Sequence, residues 1–218
     1  MRVAGRVVGP AQGRGAPGRR LVLAALAAAA WGLAGCDRLG LGGEKAPPFH
    51  GIDITGANYA NELALPDPEG RPRTLAEFKG RVLVVFFGFT QCPDVCPTTL
   101  GELAAAKRAL GADGARVQGI FVTVDPARDT PEVLRAYVAA FDPSFVALRG
   151  TDEQTRATAK AFKVYFNKVE GRTPETYTID HTAGAYVFDA KGRVRLFTRH
   201  GGSTEALVSD LKRLLAEG

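Results

Sequence analysis

Cysteine and histidine are scarce in this 218-residue chain, with three of each. That is too few for a disulfide-dense scaffold or for a protein holding several zinc ions. Methionine and tryptophan occur once each and diagnose nothing. Acid is missing altogether from the first 35 residues, where Arg2, Arg6, Arg14, Arg19 and Arg20 stand unopposed and Asp37 is the first carboxylate. What remains is ordinary globular composition: 45% apolar and 23% charged, enough for one core of moderate size and not for two large domains. The formal net charge of +5 would by itself point to nucleic acid or a membrane surface. The excess, however, is confined to residues 1–35, and without those five arginines 23 basic residues face 23 acidic ones. The remainder is formally neutral, which removes the case for nucleic acid as a partner.

No apolar run is long enough to span a bilayer as a helix. The one that comes nearest, Leu21 to Ala34, has 14 residues against the roughly 20 a bilayer requires. It follows Arg19-Arg20 and ends Leu33-Ala34-Gly35-Cys36. A positive n-region, a short apolar h-region and small residues before a cleavage point make a signal peptide. The last four residues resemble the lipobox of bacterial lipoproteins, in which the cysteine thiol takes a diacylglycerol. Residues 1–35 are therefore expected to be a lipoprotein signal peptide and Cys36 a lipidation site. An uncleaved signal-anchor helix is the alternative, and a twin-arginine signal fits the following residues poorly. Either main reading places the rest of the chain in the bacterial cell envelope, lipid-anchored or membrane-anchored at the outer face of the cytoplasmic membrane, with its domain in the periplasm. Residues 36–48 carry Gly40, Gly42, Gly43, Pro47 and Pro48 and read as a flexible linker. The twelve residues from Asp37 to Pro48 span about 20 Å as a coil.

From Phe49 onward the periodicities alternate between strand and helix. Ile52–Ile54 and Leu63–Leu65 read as short strands, with a turn at Asp67-Pro68-Glu69-Gly70. Residues 81–89 and 117–124 are continuous apolar runs rich in β-branched and aromatic residues, the pattern of strands buried on both faces. Leu100 to Leu110 is helical in pattern. Thr130-Pro131 starts a second helix with Thr as N-cap and Pro at its first position. Phe145–Leu148 is a short strand, and Thr151-Asp152-Glu153-Gln154 is a capping box for a helix to about Phe162. Residues 171–177 are polar loop. Ala185–Phe188 and Val194–Phe197 flank Asp189-Ala190-Lys191-Gly192 as a hairpin, and Thr204 to Leu215 closes the chain as an amphipathic helix. No internal repeat is present. Periodicity alone predicts an α/β domain with a central mixed sheet. The β-α-β opening, hairpin and closing helix resemble a thioredoxin-like fold with an N-terminal strand extension, over residues 49–218.

Cys92-Pro93-Asp94-Val95-Cys96-Pro97 stands where the first buried strand ends and a helix begins. Sites form at the carboxyl ends of strands in such sheets, and a helix N-terminus favours thiolate and lowers a thiol pKa. Cysteines with three residues between them can close a structural disulfide, work as a redox dithiol, or bite one soft metal ion. A third ligand would favour the metal. His50 and His200 read as solvated. His181, in Ile179-Asp180-His181-Thr182 just before the hairpin, stands where the loop of a thioredoxin-like fold faces the cysteines.

Residues 86–100, Val122-Thr123-Val124-Asp125-Pro126-Ala127-Arg128-Asp129-Thr130-Pro131 and Asp180-His181-Thr182 together resemble the three signature blocks of the Sco/SenC family. Members of that family are membrane-anchored, thioredoxin-fold copper proteins that assist cytochrome c oxidase assembly. The resemblance covers about residues 50–217. It implies Cys92, Cys96 and His181 as ligands of copper, as Cu(I) and Cu(II), and a redox-active disulfide between Cys92 and Cys96. It makes Asp125 a candidate for tuning the site from beside it; otherwise Asp125 caps the turn before Pro126. It also makes the polar stretch from Asn167 to Thr178 a mobile arm for His181. The implied function is a copper chaperone, not an enzyme, delivering to the binuclear copper site of cytochrome c oxidase subunit II. Another periplasmic copper chaperone and a thioredoxin-like reductant are the further partners expected. A thiol–disulfide reductase acting on the subunit II cysteines is the main alternative, with Cys92 attacking, and a redox or copper sensor ranks below both.

Overall fold

The computed structural model describes Gly9, residues 48–173 and residues 176–218. Apart from Gly9, the signal peptide, Cys36 and the linker as far as Pro47 lie outside the described residues. The chain divides into two units, Met1–Pro47 and Pro48–Gly218, and everything below concerns the second. Among the described residues no helix is long and apolar enough to cross a membrane.

Two strands carry the fold. β4 (Val82–Gly88) and β5 (Val117–Thr123) are buried at all seven positions each, as their unbroken apolar runs require. They pair in parallel from Val82 opposite Val117 to Gly88 opposite Thr123. Around them forms a six-stranded mixed sheet in the order β1-β10-β9-β4-β5-β6. β1 is Ile52–Asp53, β6 Val146–Leu148, β9 Gly184–Phe188 and β10 Val194–Arg199. β6 lies parallel to β5, whereas β9 runs antiparallel to β4 and β10 antiparallel to β9. The β9–β10 turn is the one expected, closed by Gly192 N–H to Asp189 O at 2.9 Å, with Gly192 at φ +78°.

Apolar helix faces cover both sides of the sheet. α1 (Val95–Ala109), α2 (Pro131–Ala139) and α4 (Thr204–Ala216) place Leu100, Leu103, Leu134, Val138, Leu211 and Leu214 against one face. α3 (Asp152–Ala161) and a short 3₁₀ turn at Leu75–Phe78 contribute Ala159, Leu75 and Phe78 to the other, with Phe162 just beyond α3. The helix starts follow the chemistry of their caps. Val133 N–H donates to Thr130 Oγ1 at 3.4 Å, and Thr151 and Gln154 bond reciprocally at 2.9 and 3.2 Å.

Two small antiparallel sheets stand beside the main one. In the first, β2 (Ala64–Pro66) pairs with β3 (Pro72–Thr74). β2 overlaps the strand expected at Leu63–Leu65 and the expected turn at Asp67–Gly70 follows it, while its partner β3 departs from expectation. In the second, β7 (Phe166–Val169) pairs with β8 (Thr178–His181). The stretch from Asn167 to Thr178, expected to be a loop, thus contains paired backbone at both ends. Phe166 is half-buried and Asn167 to Val169 are exposed, so β7 has no apolar alternation for periodicity to detect. α1 also begins earlier than its apolar stripe. Pro97 is in its first turn, where its missing N–H costs nothing.

Candidate metal centre

The carboxyl ends of β4 and β5 open onto the first turn of α1. Cys92 lies in the connecting loop, where its N–H donates to Phe89 O at 3.2 Å. Cys96 is the second residue of α1, and its N–H points at Cys92 Sγ at 3.4 Å. The loop and the first helical turn therefore bring the two sulfurs toward one point. Cys92 is half-buried and Cys96 fully buried, and both are free thiols. Gly88 makes room for them. A Cβ there would stand 2.7 Å from Cys96 Sγ and 2.9 Å from Phe121 Cε2, closer than real atoms approach.

His181, the last residue of β8, completes the group. Its Nε2 is 3.5 Å from Cys96 Sγ, and the ligand atoms of Cys92, Cys96 and His181 lie within 4.8 Å of one another. Its Nδ1 faces Thr182 O at 3.1 Å. A carbonyl oxygen only accepts, so the proton sits on Nδ1 and the Nε2 lone pair faces the sulfurs. The edges and faces of Phe86 and Phe89 hold the ring in place, with centroids 6.0 and 5.9 Å away at 71° and 86°.

Electrostatics favour the protonated thiol at Cys96 and the neutral imidazole at His181 before a cation arrives. Burial pushes the Cys96 thiol well above its usual range, reinforced by its hydrogen bond with Cys92 and by the charge there. This corrects the expectation that the helix N-terminus lowers the thiol pKa. For Cys96, loss of water outweighs the helix dipole. Burial also depresses His181, against the opposing effects of Thr182 O and Asp180. Two sulfurs that become thiolate on losing protons and one neutral imidazole form a donor set for a soft cation.

Asp125 is placed one step away. It is 3% exposed, and both its carboxylate oxygens are engaged: Tyr177 Oη donates to Oδ1 at 2.7 Å and Arg128 Nε to Oδ2 at 2.5 Å. Its carbonyl also accepts from Arg128 and Asp129 N–H at 3.2 and 3.0 Å, the turn-holding role. His50 and His200 stand apart from the three-ligand group. They line a cavity of about 570 Å³, where His200 Nδ1 is 3.4 Å from Thr99 Oγ1 and the His50 backbone N–H donates to Asp210.

Asp129 is the residue that sequence reasoning passed over. It is fully buried, and Thr90 N–H, Thr90 Oγ1 and Thr123 Oγ1 all donate to it, at 3.2, 2.6 and 2.5 Å. It thereby fixes the loop two residues before Cys92. Burial raises its pKa even against these donors. No spacing rule links residues 90 and 129. Only the parallel pairing of β4 with β5 brings them together.

The fold and the site define a thioredoxin-like α/β domain with a two-thiol, one-imidazole group whose ligand atoms could hold a metal ion. A family model described as SCO1/SenC matches residues 53–216, and the chain belongs to that family. A SCO2-like protein of Rickettsia felis is 35% identical over 133 residues, covering 61% of this chain and 65% of its own length. The match therefore spans just under two thirds of that relative. The apo Sco1 solution structure from Thermus thermophilus is 42% identical, with TM-score 0.69, covering 77% of this chain and 98% of that one. Bradyrhizobium japonicum ScoI, solved with copper bound, is 38% identical with TM-score 0.65, covering 71% and 98%. Solved members of the family also include one described as a lipoprotein.

Proposed function

We propose that this protein is a membrane-anchored, extracytoplasmic copper chaperone that delivers copper to the binuclear site of cytochrome c oxidase during assembly. One observation carries the reading: two cysteine sulfurs and an unprotonated imidazole nitrogen converge within 4.8 Å at the carboxyl end of the central strands. Copper is cargo here. Cys92 and Cys96 each lose a proton to solvent as their sulfurs bind Cu(I), and His181 Nε2 supplies the third ligand. The same three groups take Cu(II). Release follows when a receiving site's ligands replace them, or when both thiolates form a disulfide and pass two electrons to a partner disulfide. Cytochrome c oxidase subunit II is the receiver, a second periplasmic copper chaperone the source, and a thioredoxin-like protein the reductant that restores the dithiol. Lipidated Cys36 holds the domain at the outer face of the cytoplasmic membrane.

A second reading, thiol–disulfide reductase toward subunit II, is favoured by one feature. Cys92 is partly exposed and Cys96 is buried, the asymmetry expected of an attacking and a resolving thiol. Incubation of the reduced protein, with and without Cu(I), with the oxidised and the reduced soluble domain of subunit II separates the two. The chaperone moves copper into the reduced acceptor and loses that ability in His181→Ala. The reductase opens the oxidised acceptor's disulfide without copper, and His181→Ala leaves that intact.

A further inference from the structure

Arg128 joins three segments that meet at the metal centre. Its Nη1 donates to Gln91 Oε1 at 3.0 Å, in the loop beside Cys92, and to Tyr177 O at 2.8 Å. Its Nε donates to Asp125 at the end of β5. The guanidinium carbon lies 3.6 Å from the centroid of the Tyr177 ring, and Tyr177 Oη returns a hydrogen bond to Asp125. Arg128, Asp125 and Tyr177 thus close a ring of contacts. The Arg128 side chain is 14% exposed, so its bonds to Asp125 and Tyr177 are partly withdrawn from competing water, whereas the bond to Gln91 is exposed. Burial and the bond to Asp125 push the Tyr177 hydroxyl up to about 12, and it remains a donor at any physiological pH.

Tyr177 immediately precedes β8, the strand that ends in His181. Packing fixes that strand's approach only in part. Ile179 is the buried residue of β8, and on one side the β7–β8 hairpin borders a polar cavity of about 280 Å³ lined by Asp125, Thr155, Phe166 and Tyr177. A second path runs through Phe89, whose ring centroid is 5.8 Å from the Arg128 guanidinium and 5.9 Å from the imidazole of His181.

We propose that Arg128 is a positioning residue: its fork, closed by Tyr177 and Asp125, clamps the β7–β8 hairpin to the Cys92 loop and so holds His181 Nε2 at the two sulfurs. The proposal rests on the ligand reading above. The clamp sets how tightly copper is kept, because loosening it weakens the imidazole's hold while both cysteines stay in place on α1 and its loop.

The test is a chelator competition for Cu(I) on the reduced full-length protein and on Arg128→Gln, Arg128→Lys and Tyr177→Phe, each also made in a His181→Ala background. Loss of a residue that orients a metal ligand costs about 10- to 100-fold in affinity. Arg128→Gln and Arg128→Lys are both expected to weaken Cu(I) binding at least tenfold, Tyr177→Phe less, and none of them further once His181 is Ala. Tyr177→Phe removes one hydroxyl and keeps the proposal testable should Arg128→Gln not fold. Equal losses in the two backgrounds, full retention in Arg128→Lys, or unchanged binding in folded Arg128→Gln would overturn the clamp. If His181→Ala alone leaves Cu(I) affinity unchanged, the ligand assignment fails instead.

Discussion

Cys96 Sγ and His181 Nε2 stand 3.5 Å apart although 85 positions separate them in the chain. Parallel pairing of β4 with β5 sets the cysteine end of the sheet, and β8 returns across it to deliver the imidazole. The distance is one a single soft cation can bridge, and several outcomes depend on it.

Gly88→Ala places a methyl group 2.7 Å from Cys96 Sγ and 2.9 Å from the Phe121 ring. The β4 backbone cannot yield without disturbing its pairing with β5. A stability loss of about 1–3 kcal/mol is expected from overpacking, together with a clear drop in copper affinity. Denaturant melts and Cu(I) competition on the same sample measure both, and normal copper binding would show that Cys96 has freedom to move.

Copper binding has a defined pH slope. Cys96 is held protonated by burial, whereas burial depresses His181 below its ordinary value. Each proton a thiol must give up costs about tenfold in affinity per pH unit on acidification. Cu(I) affinity is therefore expected to fall at least tenfold per unit from pH 8 to pH 6, with less added steepness from His181 than an ordinary imidazole would give. Competition titrations at three pH values read this directly, and a flat profile would mean the thiols are ionised in the free protein.

Asp129 holds Thr90 and carries a raised pKa. A carboxyl raised in the folded state binds more protons there than in the unfolded chain, so its contribution is complete at low pH and is lost as pH rises through the folded pKa. Asp129→Asn has no such titration. The wild type is expected to gain stability relative to Asp129→Asn as pH falls through that pKa. At neutral pH the variant loses about 1–3 kcal/mol, because the two threonine hydroxyls and one N–H no longer share a carboxylate. Paired thermal melts from pH 4.5 to pH 7.5 measure the difference.

The sequence carried the two central strands plainly, because a short continuous run rich in β-branched and aromatic residues such as Val82-Leu83-Val84-Val85-Phe86-Phe87 favours a doubly buried strand. Thr130 and the Thr151–Gln154 box marked helix starts for the same local reason. The cysteine pair was visible as a motif at the end of a strand, and His181 as its partner through family resemblance. The β7–β8 hairpin was not legible, since Asn167 to Val169 are exposed and carry no alternation. Nor was the link from Thr90 to Asp129, or the fork of Arg128 between Gln91 and Tyr177, because such contacts exist only after the strands have paired. The direction of the Cys96 shift was misread for a related reason. The helix dipole is a local feature of the sequence, whereas the burial that overrides it comes from tertiary packing.

The most direct measurement is the copper stoichiometry and affinity of the reduced protein beside Cys92→Ser, Cys96→Ser and His181→Ala, by anaerobic titration with Cu(I). One tightly held copper per chain is expected, weakened by orders of magnitude in either serine variant and by at least tenfold in His181→Ala. Undiminished copper binding in His181→Ala, or in either cysteine variant, would contradict a centre built from these three residues.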